Sequence, residues 1–174
     1  MIFEPTLIPG VVVIRPTPHA DPRGDFARLW CVEQFTKAGY PFLPTQISSS
    51  RNHTRHTMRG LHWQASPHGE TKLVRATAGR VFDVTVDMRA KSPTRHHSVA
   101  IELDATEQTA VLIPPGCAHG FLTLTDAAEV IYLIDSQHAP SAGRGARYDD
   151  PALRLDWPAN PAVIAERDLT WPQL

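Results

Sequence analysis

The chain has little of what would mark out a special class of protein. Only two of its 174 residues are cysteine, Cys31 and Cys117. They lie far apart and match neither a disulfide framework nor a zinc spacing. No apolar run is long enough to span a bilayer, so no membrane helix is expected. Met1-Ile2-Phe3-Glu4-Pro5 has no basic stretch leading into an apolar one. No signal peptide is therefore expected, and the expected location is the cytoplasm, with free thiols. An excess of either charge is also missing: 17 Lys and Arg stand against 18 Asp and Glu, a net charge of −1 with neutral histidines. That balance argues against broad binding of nucleic acid or of an anionic membrane, and leaves room for a local basic pocket. There is no internal repeat, no low-complexity tract and no mark of a boundary, so residues 1–174 are read as one domain.

Punctuation is abundant instead. Sixteen prolines and 10 glycines separate short runs rich in Val, Ile, Leu, Phe and Thr, as in an all-β sandwich or barrel. A hydrophobic content of 42% in 174 residues suffices for a sizeable core. Strands are expected near Val11–Arg15, Phe26–Trp30, Gln46–Arg51, Met58–Gln64, Lys72–Ala78, Arg80–Met88, His97–Leu103, Ala110–Ile113, Gly120–Thr125 and Glu129–Ile134. In the clearest of them Phe82, Val84 and Val86 share one face, and Asp83, Thr85 and Asp87 the other. Ala78-Gly79-Arg80 reads as a tight hairpin. Val32, Phe35 and Ala38 recur at helical spacing before Gly39, so a short helix is expected there. From Asp135 to Asp150 the apolar pattern stops, which predicts a long loop. The proline-rich tail after Pro151 still carries Trp157, Ile164 and Trp171, and so is expected to pack back on the body.

The residues that carry chemistry are His62 in Arg59-Gly60-Leu61-His62-Trp63-Gln64, then Lys72, His119, Tyr132 and Asp168. A base, an ammonium, a phenol and a carboxylate are what proton abstraction beside a carbonyl requires. The base takes the carbon-bound proton, the cation holds the enolate oxygen, and a second acid returns a proton. Each residue alone has a plainer reading: a hydrogen-bonded barrel histidine, an aromatic core residue, a surface aspartate in the tail. The set gains weight because a shared polar pocket costs less than several separate buried polar sites. Arg23, in Asp21-Pro22-Arg23-Gly24, reads either as a solvated loop residue or as an anion contact. His96-His97 and His53-Thr54-Arg55-His56 read as exposed and are given no role. Pro114-Pro115-Gly116-Cys117-Ala118-His119 fits the P-x-G-x-x-H pattern of the second cupin motif. The H-x-H of the first motif is missing, which weighs against a metal site built from His62, His68, Glu70 and His119.

Taken in order, the whole chain resembles the dTDP-4-dehydrorhamnose 3,5-epimerase family. The resemblance rests on Asp21-Pro22-Arg23-Gly24-Asp25-Phe26, Arg59-Gly60-Leu61-His62-Trp63-Gln64, Lys72-Leu73-Val74-Arg75 and Val81-Phe82-Asp83-Val84-Thr85-Val86-Asp87. It continues through Ala118-His119-Gly120-Phe121, Tyr132-Leu133, Asp156-Trp157-Pro158 and Glu166-Arg167-Asp168. The resemblance implies a cupin-type jelly-roll barrel with a few short helices and an extended C-terminal tail. It implies a homodimer with exchanged N-terminal strands, no metal or organic cofactor, and a nucleotide-diphosphate 4-keto-6-deoxyhexose as substrate. It further implies His62 as base, Asp168 as the acid that orients it, Tyr132 as proton donor on the opposite face of the sugar, and Lys72 as the enolate cation. Arg23, Phe26, Gln46, Ser48, Arg59, His119 and Arg167 fall at substrate-binding positions.

The chain departs from the family pattern where Arg28 replaces a glutamate, where Ser48 stands for an asparagine, and where Arg95-His96-His97-Ser98 follows Ser-Pro-Thr. It departs again where Ser136-Gln137-His138 replaces an aromatic-rich segment, and where Gly143 replaces a glutamate. Altered recognition of the nucleotide or sugar is expected from these changes, with the chemistry kept. Inversion at both C3 and C5 is the leading expectation and inversion at C3 alone the alternative. A metal-dependent cupin and a non-catalytic sugar-nucleotide binding protein are the readings from other classes.

Overall fold

The computed structural model describes all of residues 1–174. Its strands are β1 (Ile2–Pro5), β2 (Val12–Arg15), β3 (His19–Asp21), β4 (Gly24–Phe26), β5 (Gln46–Asn52), β6 (Met58–Gln64), β7 (Lys72–Ala78), β8 (Arg80–Asp87), β9 (Ser98–Asp104), β10 (Ala110–Ile113), β11 (Cys117–Thr123), β12 (Ala128–Ile134) and β13 (Gly143–Gly145). Helices α1 (Val32–Lys37) and α2 (Glu166–Leu169) are short, and neither is long and apolar enough to cross a membrane. Six strands form one sheet in the order β1-β2-β10-β7-β12-β5, and five form a second in the order β13-β6-β11-β8-β9. Within both sheets all pairings are antiparallel. From β5 to β13 the strands alternate between the sheets except at β8 and β9, which are neighbours in one sheet; this is the sandwich that the strand pattern predicts, in the jelly-roll form that the family resemblance implies.

Both faces of each sheet are covered, and this explains why β10 and β11 are apolar almost throughout. Between the sheets lie Val74, Val81, Leu103, Val111, Phe121 and Val130, all buried. Outside the six-stranded sheet, Phe35 of α1 and Phe42 cover Ile14, Leu73 and Leu112. Outside the five-stranded sheet, Ala146 and Leu153 of the tail cover Leu61, Val84 and Val86, with Trp157 packed against them. Each fully buried Leu, Val or Phe contributes about 1.5–3 kcal/mol to stability. The alternation along β8 therefore runs opposite to the usual sense. The apolar face of Val84 and Val86 lies under the tail, whereas Asp83, Thr85 and Asp87 are buried. Asp87 is satisfied by Arg89, Ser92 and Thr94 at 2.5–2.8 Å.

Several expectations need correction. Ala78-Gly79-Arg80 is not a hairpin, because β7 and β8 belong to different sheets. It is a corner at which the chain crosses the sandwich. Gly79 takes a φ of +64°, and a side chain there would meet Thr125 and Ala128. The strand expected at Phe26–Trp30 lies earlier, as β4 pairing β3 across the Asp21–Gly24 turn, since that turn makes a local hairpin. β11 begins at Cys117 directly after the Gly116 turn and ends two residues sooner than expected. The loop after Asp135 holds a 3₁₀ turn at Pro140–Ala142 and the short strand β13. His56 and His96 are half-buried, each with a positive φ, while His53 and His97 are exposed.

Candidate active site

Between the two sheets a cavity of about 540 Å³ opens to the surface. The five-stranded sheet sends Arg59 and His62 into it from β6, and His119 from β11. The six-stranded sheet sends Ser48 from β5, Lys72 from β7 and Tyr132 from β12. The tail closes the rim with Arg167 and Asp168 of α2. Eight of the 11 site residues named from the sequence therefore meet in one place.

His62 and Asp168 form a close pair, with Nε2 2.6 Å from Oδ1. An ionised carboxylate only accepts, so Nε2 carries the proton and Nδ1 keeps the lone pair. The second carboxylate oxygen accepts the Gly60 amide at 3.2 Å. Gly60 has a φ of +107°, and a Cβ there would lie 2.6 Å from the His119 carbonyl oxygen, so no other residue fits without moving β11. Asp168 is 3% exposed. That burial by itself would raise its pKa; the His62 imidazole, the Gly60 amide and the Arg167 guanidinium outweigh it and hold the carboxyl below the usual carboxylate range. Arg167 stands 3.5 Å from the same His62 nitrogen.

A second pair lies deeper. His119 Nε2 is 2.6 Å from Asp83 Oδ2, and both side chains are almost fully buried. His119 is the register partner of His62 across β6 and β11. Its ring meets that of Tyr132 edge-on, with centroids 5.8 Å apart. Burial pushes the Tyr132 phenol far up, Asp83 adds to this and Arg59 opposes it, so Tyr132 holds its proton throughout the neutral range. Asp83 is one residue that sequence reasoning did not place in the site. Its signal was a carboxylate at an alternating position of the most regular strand.

Three named residues are not brought to the cavity. Arg23 and Phe26 sit on the β3–β4 hairpin, where Arg23 pairs with Asp21 at 2.6 Å and Phe26 is 73% exposed. The hairpin pairs with neither sheet. Gln46 donates its side-chain amide to the Ser136 carbonyl beside the cavity mouth. Conversely His138 lines the cavity without having been named, and so does Glu70, which had been weighed only as a disfavoured metal ligand. Glu70 has an oxygen 2.7 Å from Lys72 Nζ. No three His, Cys, Asp or Glu side chains are grouped to hold a metal ion; His62 and His119 each face a single carboxylate. Cys117 lies buried behind the site, and burial pushes its thiol up to about 12, so it is no nucleophile at neutral pH.

The chain matches known proteins over nearly its whole length. A family model described as dTDP-4-dehydrorhamnose 3,5-epimerase matches residues 5–174. The dTDP-4-dehydrorhamnose 3,5-epimerase of Pseudomonas aeruginosa is 39% identical over 163 residues, covering 92% of this chain and 89% of that protein. The dTDP-4-dehydrorhamnose 3-epimerase of Streptomyces niveus is 36% identical, covering 97% of this chain and 81% of that protein. The crystal structure of NovW, a 4-keto-6-deoxy sugar epimerase from the novobiocin gene cluster of Streptomyces spheroides, superposes with a TM-score of 0.94 at 35% identity, covering 99% of this chain and 87% of that one.

Proposed function

This chain belongs to the dTDP-4-dehydrorhamnose 3,5-epimerase family, an isomerase family, and from that premise we propose that it inverts C3 and C5 of a dTDP-linked 4-keto-6-deoxyhexose without a metal or organic cofactor. The observation that carries the reading is the pairing of His62 with Asp168 on one wall and Tyr132 on the other. The C4 ketone acidifies the protons at C3 and C5. His62 Nδ1 takes such a proton, and Asp168 fixes the tautomer and steadies the imidazolium. Lys72 supplies a compact cation for the enolate oxygen. Tyr132 rises from the opposite sheet and returns a proton to the opposite face of the ring, which is what inversion needs. Arg59 and Arg167 bind the diphosphate, and anchoring it there positions the reacting carbon. Ser48 and His119 are further substrate contacts, and Gln46 holds the Ser136 carbonyl beside the mouth. Arg23 and Phe26 complete the site of a second subunit in a homodimer.

Inversion at C3 alone is the second reading, favoured by the likeness to the Streptomyces niveus 3-epimerase. Proton NMR of dTDP-4-keto-6-deoxyglucose with the protein in heavy water decides between them. Loss of signal at both C3 and C5 is the expected result, and loss at C3 alone supports the second reading. No exchange at either position would count against both.

A further inference from the structure

Glu70 and Lys72 form an ion pair inside the cavity, and their side chains are only 10% and 12% exposed. No step of the proposed chemistry uses Glu70. A carboxylate in a cavity meant for a diphosphate is an unfavourable neighbour for the ligand, so its position needs a reason.

The strand register lays the cavity out along an axis. On the six-stranded sheet Lys72 faces Ile134, Tyr132 faces Ser48, and Val130 faces Ser50. On the five-stranded sheet β6 begins near Arg59, places His62 midway, and ends at Gln64, from which the chain returns to Glu70 and Lys72. One end of the cavity thus carries Lys72, the other Arg59, with His62 and Tyr132 between them. Both ends are cationic, but only one is neutralised. Arg59 donates to neutral acceptors alone, Asn52 Oδ1 at 2.7 Å and the Arg51 carbonyl at 3.5 Å. Lys72 has a carboxylate.

We infer that Glu70 is a specificity-determining residue that sets the direction of the substrate: by balancing the charge of Lys72 it makes that end a poor seat for a multiply charged diphosphate and leaves it to the sugar, while the remaining ammonium donors of Lys72 stay free for the enolate oxygen. Resting on the epimerase reading, this assigns Glu70 a part in choosing the productive orientation and none in proton transfer. Without it, Lys72 would compete with Arg59 for the diphosphate, and a share of bound substrate would lie reversed, with phosphate beside Lys72.

The test is Glu70→Gln, which keeps shape and removes charge. Reversed binding is non-productive, so kcat and KM for C3 exchange should fall together, by roughly threefold to tenfold, with kcat/KM nearly unchanged. Inorganic pyrophosphate should inhibit the variant roughly tenfold more strongly than the wild type. Calorimetric titration of pyrophosphate should show the same gain, and Glu70→Gln combined with Lys72→Gln should abolish it. A fall in kcat/KM at unchanged KM, or an unchanged pyrophosphate affinity, would overturn the inference. The titration reads the charge effect even if the wild-type protein causes no exchange. That outcome would strike the epimerase reading, while the claim about the lysine end would stand or fall on the titration.

Discussion

At the scale of single residues, the site holds two acids of opposite habit. Asp168 is kept ionised by His62, Gly60 and Arg167 in spite of its burial, and Tyr132 is kept protonated by burial. In the proposed mechanism one serves a base and the other is itself the acid, so their loss should have different consequences. In Tyr132→Phe, His62 still abstracts a proton, trades it with solvent and returns deuterium to the same face. Wash-in from heavy water should persist with retention of configuration, while the inverted product falls by roughly a hundredfold or more. In Asp168→Asn the tautomer and the imidazolium both lose support, and wash-in and inversion should fall together. Proton NMR for wash-in, combined with chromatographic separation of the epimers, reads the two effects apart. Equal loss of wash-in and inversion in Tyr132→Phe would remove Tyr132 from the donor role.

At the scale of elements, the His62–Asp168 pair depends on a tail that the barrel does not hold by its own strands. Arg147 donates to the Leu169 carbonyl, Asp150 accepts the Leu174 amide at 2.9 Å, and Met58 donates to Val163 at 2.8 Å. The closest fit is between Trp171 and Gly145, where the indole fills the space that a Cβ would take. The same indole lies 6.4 Å from the His62 ring, centroid to centroid. Gly145→Ala should therefore lift Trp171 and draw α2, with Asp168, off His62. Overpacking of this kind costs about 1–3 kcal/mol, measurable by chemical denaturation. Exchange should fall more than roughly tenfold, while thymidine diphosphate affinity should fall by less, since Arg167 moves with α2 but Arg59 stays on β6. A variant that is destabilised but exchanges at the wild-type rate would refute the coupling. The elements legible in the sequence were those whose alternation was strong: β6, β7 and β10 fall where their patterns put them. β13, Gly143-Arg144-Gly145, has no strand propensity and exists because β6 offers it an open edge. β1 is four residues ending in proline, too short to signal itself. His62, Lys72, His119 and Tyr132 were legible as polar residues at strand positions. Asp168 was named as the carboxylate of the set yet read alone as a surface aspartate, since its contact with His62 depends on the tail folding back; Glu70 depends on the β6–β7 return, which no local pattern encodes.

At the scale of the whole molecule, one chain leaves a hairpin without a task. β3 and β4 stand off both sheets, with Phe26 73% exposed at the end of β4 and the Arg23 side chain 90% exposed. Leu43 and Ile47 are 65% and 70% exposed, and Ile47 adjoins Ser48 of the cavity on the edge strand β5. Apolar residues exposed this far beside a binding cavity are what a partner surface offers. In the proposed homodimer the hairpin of one subunit brings Arg23 to the diphosphate in the cavity of the other. A twofold arrangement makes this reciprocal, so each cavity is built from two chains. The consequence can be tested without a structure of the dimer. Arg23→Ala and His62→Ala should each weaken exchange severely when expressed alone. Expressed together, they give mixed dimers in which one cavity pairs an intact His62 with an intact Arg23, while the other lacks both. Random pairing should then restore about a quarter of the wild-type rate, and isolating the mixed dimer with two affinity tags should raise this to about half. If Arg23 instead served its own subunit, every cavity in every combination would lack one residue or the other, and mixing would restore nothing.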